Sequence, residues 1–272
     1  MNKAVILARG LGKRMREEDT SAQVIGEQAS AADSGMKAMI PAGGRPFLDY
    51  VLSALADSGI QRVCLVVGPE HAAIQDYYKK LSPRRIEIQF AIQRVADGTA
   101  RALLAARPFI EEEPFLALNS DNYYPAEVFT GLRALGEPGL AAFERESLIE
   151  KGNIPRERVR DFALLGMGED GYLQRIIEKP DEAANAAMAA TGGETFVSMN
   201  CWRFDPAIFR ACERVPKSAR GEFELPEAVQ FGISMLGLRF KAVPFHAGVL
   251  DLSRRSDIAQ VEKRLSGIKV NL

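Results

Sequence analysis

The sequence has little cysteine, almost no net charge and no long hydrophobic run. The three cysteines among its 272 residues lie in apolar stretches, without the spacing of a metal site or a disulfide framework. A formal net charge of −1 provides no basic field for a nucleic-acid backbone. No window approaches the roughly eighteen apolar residues of a membrane span. We therefore expect a cytoplasmic protein with reduced, buried thiols and with neither nucleic acid nor a membrane as its partner.

The chain also lacks an internal repeat, and its strand-like runs alternate with amphipathic stretches. This alternation predicts a parallel sheet covered by helices on both faces. The first strands are expected at Lys3–Ala8, Arg62–Val67, Ile86–Ala91 and Phe115–Asn119. The first run is too short for a signal peptide. Helices are expected to open at Pro46, Pro69 and Pro125, because proline is tolerated in a first helical turn.

The pattern changes after Leu140–Phe143, where strand-like runs follow one another with little helix between them. They lie at Phe162–Met167, Leu173–Ile177 and Thr195–Phe204, and predict partly antiparallel strands packed on the first half as a substrate-side lobe. The segment Ala183–Ala190 predicts an alanine-rich helix. The segment Arg16–Met36 has no sustained period and predicts a long loop. We expect a single α/β domain with halves 1–140 and 141–272.

Two common phosphate-binding motifs are missing after the first strand. Met15 stands where a dinucleotide fingerprint has its third glycine, and Gly-x-x-x-x-Gly-Lys-Ser/Thr does not occur. Nevertheless, Gly10 and Gly12 let backbone amides approach an anion, and Arg9, Lys13 and Arg14 add positive charge. A different kind of phosphate loop is predicted. A tight turn with solvated basic side chains is the structural alternative.

Two further strand ends carry polar groups. Gln93 precedes Asp97-Gly98-Thr99-Ala100, where an amide edge suits a nucleobase and backbone amides suit an anion, although a capped helix start has the same pattern. Asp121 follows an apolar strand, at the edge where open α/β sheets place their ligands. It is the best single metal candidate, with an ordinary turn residue as the alternative.

The glycine loop and the segments around Gln93 and Asp121, in this order, resemble motifs of the sugar-phosphate nucleotidyltransferases. That family's signature reads approximately Leu-Ala-Gly-Gly-x-Gly-Thr-Arg, followed by Pro-Lys-x-Leu-x-Pro-Val. It is similar to the first strand with its glycine loop and to Lys37-Ala38-Met39-Ile40-Pro41. Arg9 replaces a glycine, Lys13 the threonine and Met36 the proline of the signature. Later similarities are Glu178-Lys179-Pro180, the segments around Asn200 and Glu224, and Gly248-Val249-Leu250-Asp251, so the resemblance covers nearly the whole chain.

The resemblance implies a glycosyltransferase-A-like fold and transfer of a nucleotidyl group from a nucleoside triphosphate to a sugar 1-phosphate. Residues 1–140 would bind the nucleotide and residues 141–272 the sugar phosphate. By position in the motifs, the implied sites are Arg14, Lys37 and Lys179 for catalysis; Ala8, Gly10, Gly12, Lys13, Gln93, Gly98 and Thr99 for the nucleotide; Ala163, Glu178, Asn200 and Glu224 for the sugar; and Asp121 and Asp251 for Mg²⁺.

Several alternatives stay open at this point. Asp257 competes with Asp251 as the second metal ligand, although it is placed like a helix cap. The acceptor could instead be phosphocholine or a molybdopterin, and a regulator that binds sugar nucleotides without catalysis is a candidate from another class. Gln93 favours uracil or thymine over a purine only weakly, because several bases present an N–H beside a carbonyl. A homo-oligomer is compatible with the sequence.

Overall fold

The computed structural model describes the chain except residues 18, 20, 21, 23, 25 and 191, with only the backbone at 189. The strands are β1 (Lys3–Leu7), β2 (Pro41–Ala42), β3 (Arg45–Pro46), β4 (Arg62–Val67), β5 (Glu87–Ile92), β6 (Phe115–Asn119), β7 (Asn122–Tyr123), β8 (Gly139–Glu144), β9 (Leu164–Met167), β10 (Leu173–Ile177), β11 (Phe196–Phe204), β12 (Lys241–Phe245) and β13 (Leu250–Asp251).

The helices are α1 (Lys13–Arg16), α2 (Gly26–Ser34), α3 (Phe47–Asp57), α4 (Ala72–Leu81), α5 (Thr99–Ala105), α6 (Arg107–Ile110), α7 (Ala126–Ala134), α8 (Arg145–Lys151), α9 (Arg156–Val159), α10 (Glu182–Ala189), α11 (Ile208–Arg214), α12 (Leu225–Leu236) and α13 (Ile258–Leu265). Short 3₁₀ turns lie at Lys37–Met39 and Arg255–Asp257.

One large sheet organises the described part of the chain. Its strands follow the order β10-β9-β11-β6-β1-β4-β5, with β8 beside β11 and β12 beside β8. The strands β6, β1, β4 and β5 run parallel, whereas β11 is antiparallel to β6, β8 and β9. The predicted α/β class, mostly parallel with antiparallel additions, is confirmed.

Helices cover both faces of this sheet, as the side-chain alternation of a strand requires. On β1, Ala4 and Ile6 pack in one apolar cluster together with α3 and α7. Their neighbours Val5 and Leu7 pack in the other, against α5, α11 and α12. Both faces of the central strands are therefore buried, which explains why they read as continuous apolar runs rather than alternating ones.

The first four predicted strands are confirmed within a residue or two as β1, β4, β5 and β6. Pro46 and Pro125 directly precede α3 and α7 as their N-cap residues. The prediction for Pro69 is wrong. That proline lies in a turn closed by a 3.0 Å hydrogen bond from His71 N to Gly68 O, and α4 begins only at Ala72.

The second half differs from the expectation in its helices. Helices α8 and α9 lie between β8 and β9, where almost no helix was expected. The additional, partly antiparallel strands join the first half by extending the main sheet through β11. The predicted alanine-rich helix is confirmed as α10.

The predicted loop Arg16–Met36 contains helix α2, so the loop prediction is wrong for residues 26–34. Its helix formers show little amphipathic period, and the end of α2 is fixed from outside: Arg16 Nη2 donates to Ser34 O at 2.8 Å. Gln28 Nε2 donates to Pro41 O and to Glu262 Oε2, at 2.9 and 3.1 Å. Residues 18, 20, 21, 23 and 25 of this segment lie outside the described residues.

Within the described residues, none of the helices has the length and apolar character needed to cross a membrane. Cys64, Cys201 and Cys212 are buried free thiols, and burial raises the pKa of each.

Candidate active site

The carboxyl ends of the parallel strands meet at one edge of the sheet and form the floor of a cavity of about 660 Å³. The floor is built by β1, β5 and β6, which deliver Ala8, Gln93 and Asp121. Open α/β sheets bind ligands at this edge. The lining includes ten of the predicted site residues: Ala8, Gly10, Gly12, Lys13, Arg14, Lys37, Gln93, Gly98, Thr99 and Asp121.

The glycine loop follows β1 and passes into the short helix α1. Gly12 has a left-handed conformation, with φ at 59°, and packs directly on Gly35. A Cβ atom on Gly12 would lie 2.3 Å from the carbonyl oxygen of Gly35. Lys13 and Arg14 are exposed beside the cavity, while Met15 is buried beneath the loop. The loop therefore presents two cations on a backbone that is fixed by close glycine packing.

Arg9 is folded against the cavity wall. Its Nε lies 3.3 Å from Glu70 Oε1, and only 9% of its side chain is exposed. Among the described residues, its Nη1 is buried without a hydrogen-bond partner. The backbone N–H of Glu70 and then Arg9 lower the pKa of Glu70. The Arg9 side chain thus lines the cavity at the position where the family signature has a glycine.

The Gln93 side chain is oriented by two acceptors. Its Nε2 donates to Gly98 O at 3.0 Å and to Asp97 Oδ1 at 3.2 Å. The amide nitrogen has two hydrogens, so both are in use and Oε1 is the group left to meet a ligand. The expectation that the Gln93 amide edge meets a nucleobase stays a prediction. Gln93 offers an acceptor.

Gly98 and Thr99 are held by the segment that leads into α12. Phe223 N donates to Asp97 O at 2.8 Å, and Ala100 N donates to Phe223 O at 2.9 Å. A Cβ atom on Gly98 would lie 2.3 Å from Phe223 O, which explains the glycine. The Thr99 hydroxyl accepts a 2.8 Å hydrogen bond from Leu225 N. It therefore fastens α12 and does not cap its own helix.

Asp121 and Asp251 are brought together by a small ribbon. The strands β7 and β13 pair antiparallel, with Asp251 opposite Asn122, and Leu252 N donates to Asp121 O at 2.9 Å. Lys37 Nζ donates to Asp121 Oδ2 at 2.8 Å. Burial, followed by the nearby charge of Asp121, raises the pKa of Asp251. The two acids repel each other across a site that a cation would stabilise.

Asp251 and Asp257 share one arginine. Arg158 Nη2 lies 3.2 Å from Asp251 Oδ1, and Arg158 Nη1 lies 2.8 Å from Asp257 Oδ1. Asp257 also accepts the N–H groups of Ser253 and Arg254, at 2.9 and 2.8 Å. Asp257 is the N-cap residue of α13, as expected, but its side chain makes no capping hydrogen bond to that helix. It binds the turn that precedes it instead, while Asp251 lies beside Asp121.

The predicted sugar-side acids form a second cluster, around the loop before α12. Glu224 accepts hydrogen bonds from Ser218 Oγ at 2.6 Å and Arg220 Nε at 2.8 Å. Burial, and then the charge of Glu224, raises the pKa of Glu178 to about 7. Arg220 and Lys179 oppose that rise. Glu178, Lys179 and Glu224 therefore influence one another, but they do not line the 660 Å³ cavity.

Ala163 directly precedes β9, and Asn200 lies on β11. Ser198 N donates to Ala163 O at 2.9 Å, and Ala163 is buried. Asn200 is in a left-handed conformation, with φ at 56°, at an irregularity of β11, and it accepts a 3.4 Å hydrogen bond from Trp202 Nε1. A non-glycine residue in this conformation marks a position worth testing for function.

Sequence reasoning missed two arginines and an asparagine. Arg220 lines the cavity and binds Glu224, and it lies next to a segment already singled out around Glu222–Glu224. Arg158 of α9 and Asn153, just before that helix, contact Asp251. Nothing in their local pattern signals this contact, because it depends on a pairing almost a hundred residues away.

The arrangement is suited to binding a polyanion next to a carboxylate pair. Exposed cations flank the glycine loop, Lys37 reaches Asp121, and Arg220 closes the cavity from the opposite half. Hydrogen-bond donors and fixed cations of this kind stabilise phosphate groups.

Comparison with known proteins agrees with this geometry. The profile of the family described as nucleotidyl transferase matches residues 31–241. The UTP–glucose-1-phosphate uridylyltransferase AglF of Haloferax volcanii is 28% identical over 263 residues, which cover 96% of each chain. Some further relatives are longer, and the chain spans about half of their length.

Two solved structures share the fold. A UDP-glucose pyrophosphorylase complexed with UDP-glucose superposes with a TM-score of 0.74 at 16% identity, covering 99% of this chain and 100% of that one. The inositol-1-phosphate CTP transferase from T. maritima superposes with a TM-score of 0.73 at 18% identity, covering 99% and 96%. At these identities, the likeness concerns the fold.

Proposed function

The chain belongs to the nucleotidyl transferase family, and from this premise we propose that it transfers a nucleotidyl group from a nucleoside triphosphate to a sugar 1-phosphate. The products are a nucleoside-diphosphate sugar and pyrophosphate. The observation that carries the proposal is the meeting of Lys37, Asp121 and the glycine loop at the edge of the parallel sheet. The Haloferax relative supports it, because its name refers to UTP and glucose 1-phosphate and because this chain matches it over nearly its whole length.

In the proposed reaction, an oxygen of the sugar phosphate attacks the α-phosphorus in line. The bond between that phosphorus and the oxygen bridging to the β-phosphate breaks, and pyrophosphate leaves with the electron pair. Catalysis consists of placing two anions together and neutralising their charge. Lys13 and Arg14 bind the triphosphate, Lys37 faces the α-phosphate, and Lys179 binds the sugar phosphate.

We assign the cofactor as Mg²⁺, held by Asp121 and Asp251. The donor set fits, because Mg²⁺ takes one or two carboxylates and completes its shell with water and substrate phosphates. A carboxylate has about four lone-pair sites, and the hydrogen bonds from Lys37, Asn122 and Arg158 leave some of them available. When bound, the metal supplies positive charge next to the reacting phosphates.

We assign the two halves of the chain to the two substrates. Residues 1–140 bind the nucleotide, and residues 141–272 bind the sugar phosphate through Glu178, Lys179, Asn200 and Glu224. The division is not strict, since Arg220 and Glu222 of the second half line the nucleotide-side cavity. A carboxylate at Glu178 would accept sugar hydroxyls, with Ala163 as a small wall beside them.

The base that we propose is uracil or thymine. With both Nε2 hydrogens in use, Gln93 Oε1 can accept the N3–H of either pyrimidine. The buried Arg9 side chain at the cavity wall reduces the space for a purine.

We place the reaction in the cytoplasm, because the three cysteines are free thiols. The partners that we propose are the two small-molecule substrates.

The test is release of pyrophosphate from a panel of triphosphates and sugar 1-phosphates with Mg²⁺, with Asp121→Asn as the inactive control. We expect turnover with UTP or dTTP and at least one hexose 1-phosphate. Turnover only with phosphocholine or another non-sugar acceptor would replace the proposed substrate class. Binding of sugar nucleotides without turnover from any pair would favour a regulator. Competing all triphosphates at equal concentration tests the base, and a higher specificity constant for GTP or ATP would contradict the role of Gln93.

A further inference from the structure

Asp251 lies on a very short strand and depends on its surroundings for its position. The strand β13 has two residues, and its only partner among the described residues is β7, which is equally short. A ribbon of this size is at best marginally stable alone. Asp251 also lies close to the like charge of Asp121 and is almost completely buried. Contacts from elsewhere must hold this carboxylate towards its neighbour.

Asn153 holds the backbone of Asp251. Its Nδ2 donates to Asp251 O at 2.9 Å, and Asp251 N donates to Asn153 Oδ1 at 2.7 Å. Both backbone polar groups of one residue are therefore satisfied by one side chain, which replaces a strand partner. Asn153 is itself buried, so water does not compete for these hydrogen bonds.

Arg158 binds the Asp251 side chain through Nη2, the guanidinium nitrogen that makes the longer hydrogen bond. Its Nη2 to Asp251 Oδ1 distance is 3.2 Å, whereas Nη1 binds both oxygens of Asp257 at 2.8 and 3.0 Å. Only 8% of the Arg158 side chain is exposed. Asp257 thus takes the shorter charge-assisted bonds and fixes the guanidinium. Asp251 accepts longer hydrogen bonds, from Arg158 Nη2 at 3.2 Å and from Asn122 Nδ2 at 3.1 Å, so lone pairs of its carboxylate stay available to a cation.

We propose that Asn153, in the connection between α8 and α9, and Arg158, in α9, are positioning residues that hold Asp251 beside Asp121 in the form that binds the metal. The inference rests on the proposed function, because it assigns the residues that prepare the same site. Side chains that orient metal ligands typically change metal affinity by about 10–100-fold when they are removed. The structure assigns this role to two residues outside the lining of the 660 Å³ cavity.

The experiment compares Arg158→Met and Asn153→Ala with the wild type in the full chain. Mn²⁺ affinity is measured from the free-ion electron paramagnetic resonance signal, in the presence of a non-hydrolysable α,β-methylene triphosphate. The Mg²⁺ concentration for half-maximal activity is measured in parallel. We expect both constants to rise by about tenfold or more in Arg158→Met, and by less in Asn153→Ala. The KM for sugar phosphate should stay within about twofold, since no sugar-side contact changes.

Arg156→Met is the matched control. Arg156 lies on the same helix α9, but it pairs at the surface with Glu146 and contacts neither acid. We expect wild-type metal constants for this variant. Arg158→Lys should recover part of the metal affinity, because it keeps the charge but not the fork that reaches two carboxylates.

Arg158→Met leaves Asp257 without its buried partner and could prevent folding. The double variant Arg158→Met/Asp257→Asn removes that unpaired charge, and we expect it to fold with the metal defect unchanged. Wild-type Mn²⁺ affinity in the folded double variant overturns the proposal, as does an equal loss in Arg156→Met. If the wild type binds Mn²⁺ but releases no pyrophosphate from any pair, the proposed function fails while the Mn²⁺ comparison still decides the positioning role.

Discussion

At the scale of single residues, the charge of Glu178 should depend on pH near neutrality, because its pKa is raised. Burial and Glu224 raise its pKa from the usual 4.5 to about 7. If it accepts sugar hydroxyls as a carboxylate, the KM for sugar phosphate should fall as the pH rises through about 7. The variant Glu178→Gln should have a higher KM and lose this pH dependence, apart from the ionisation of the substrate phosphate. Identical pH profiles for the two proteins would contradict the role.

The same raised pKa affects the stability of the fold. The folded protein holds the Glu178 proton more tightly than the unfolded chain does. The contribution of this group to the free energy of unfolding is therefore fully present below about pH 4.5 and is lost as the pH rises through about 7. Glu178→Gln should therefore unfold at a higher temperature than the wild type at pH 8, with little difference at pH 4.5. Thermal unfolding followed by circular dichroism at the two pH values measures this.

The acids Asp121, Asp251 and Asp257 should separate by their effects. We expect Asp121→Asn and Asp251→Asn to reduce kcat by about 100-fold or more while the fold is retained, because each removes a metal-binding carboxylate. Asp257→Asn should instead destabilise the protein by about 3–5 kcal/mol, since it breaks a buried ion pair with Arg158. Urea unfolding and steady-state kinetics make the comparison. Near-normal activity in Asp251→Asn together with an inactive but stable Asp257→Asn would exchange the two assignments.

The residues that the motifs assign to the nucleotide lie together, in the lining of one cavity. Gly12, Lys37 and Asp121 occupy strand ends and turns whose chemistry is visible in a few neighbouring letters. The orientation of Gln93 was not predictable, because it depends on which acceptors its amide meets. Arg158 could not be predicted at all, since its ion pairs join residues from distant parts of the chain.

At the scale of elements, the glycine loop and the end of α2 are coupled by backbone packing. Gly12 and Gly35 both have left-handed φ angles, 59° and 73°, and touch each other. Gly12→Ala adds a Cβ atom 2.3 Å from Gly35 O and costs about 1–2 kcal/mol for its left-handed backbone alone. The displaced Gly35 would move Lys37, two residues further on, away from Asp121. We expect both a lower unfolding temperature and a lower kcat.

Gly10→Ala is the matched control for stability. It lies in the same loop, its φ is outside the left-handed range, and a Cβ atom there would meet nothing within 4 Å. Its unfolding temperature should equal that of the wild type. Equal unfolding temperatures for Gly10→Ala and Gly12→Ala would show that the loop relaxes freely and does not position Lys37.

Strands and helices with a clear pattern of apolar residues were predicted, and those without such a pattern were not. The apolar strands of the first half stand out because they are buried on both faces. Helix α2 escaped because its alanines and serines form no apolar stripe, and it is fixed by contacts with Pro41 and Glu262. Helices α8 and α9 escaped because each is short, at seven and four residues.

At the scale of the whole molecule, residues 1–140 and 141–272 contribute strands to one sheet and should fold as one unit. Strand β11 of the second half pairs with β6 of the first. Phe115 on β6 lies 5.9 Å from Phe204 and 5.8 Å from Phe209, measured between ring centroids. Helices α11 and α12 also cover the face of β1 that carries Val5 and Leu7. Without the second half, the face of β1 that carries Val5 and Leu7 therefore loses part of its cover.

We predict that residues 1–140 expressed alone do not fold, although they contain almost the entire predicted nucleotide site. Without β11, strand β6 has an unpaired edge, and without α11 and α12 only α5 and α6 cover one face of the sheet. Too little apolar area is then buried to offset the loss of chain entropy. The full chain should unfold in a single calorimetric transition. A triphosphate and a sugar phosphate should each raise that same transition temperature, because a ligand of either half stabilises the one folded state. Near-ultraviolet circular dichroism of the fragment and calorimetry of the full chain test both statements. A fragment with native-like aromatic signals that binds triphosphate, or two transitions of which each responds to one ligand, would show instead that the halves are independent folding units.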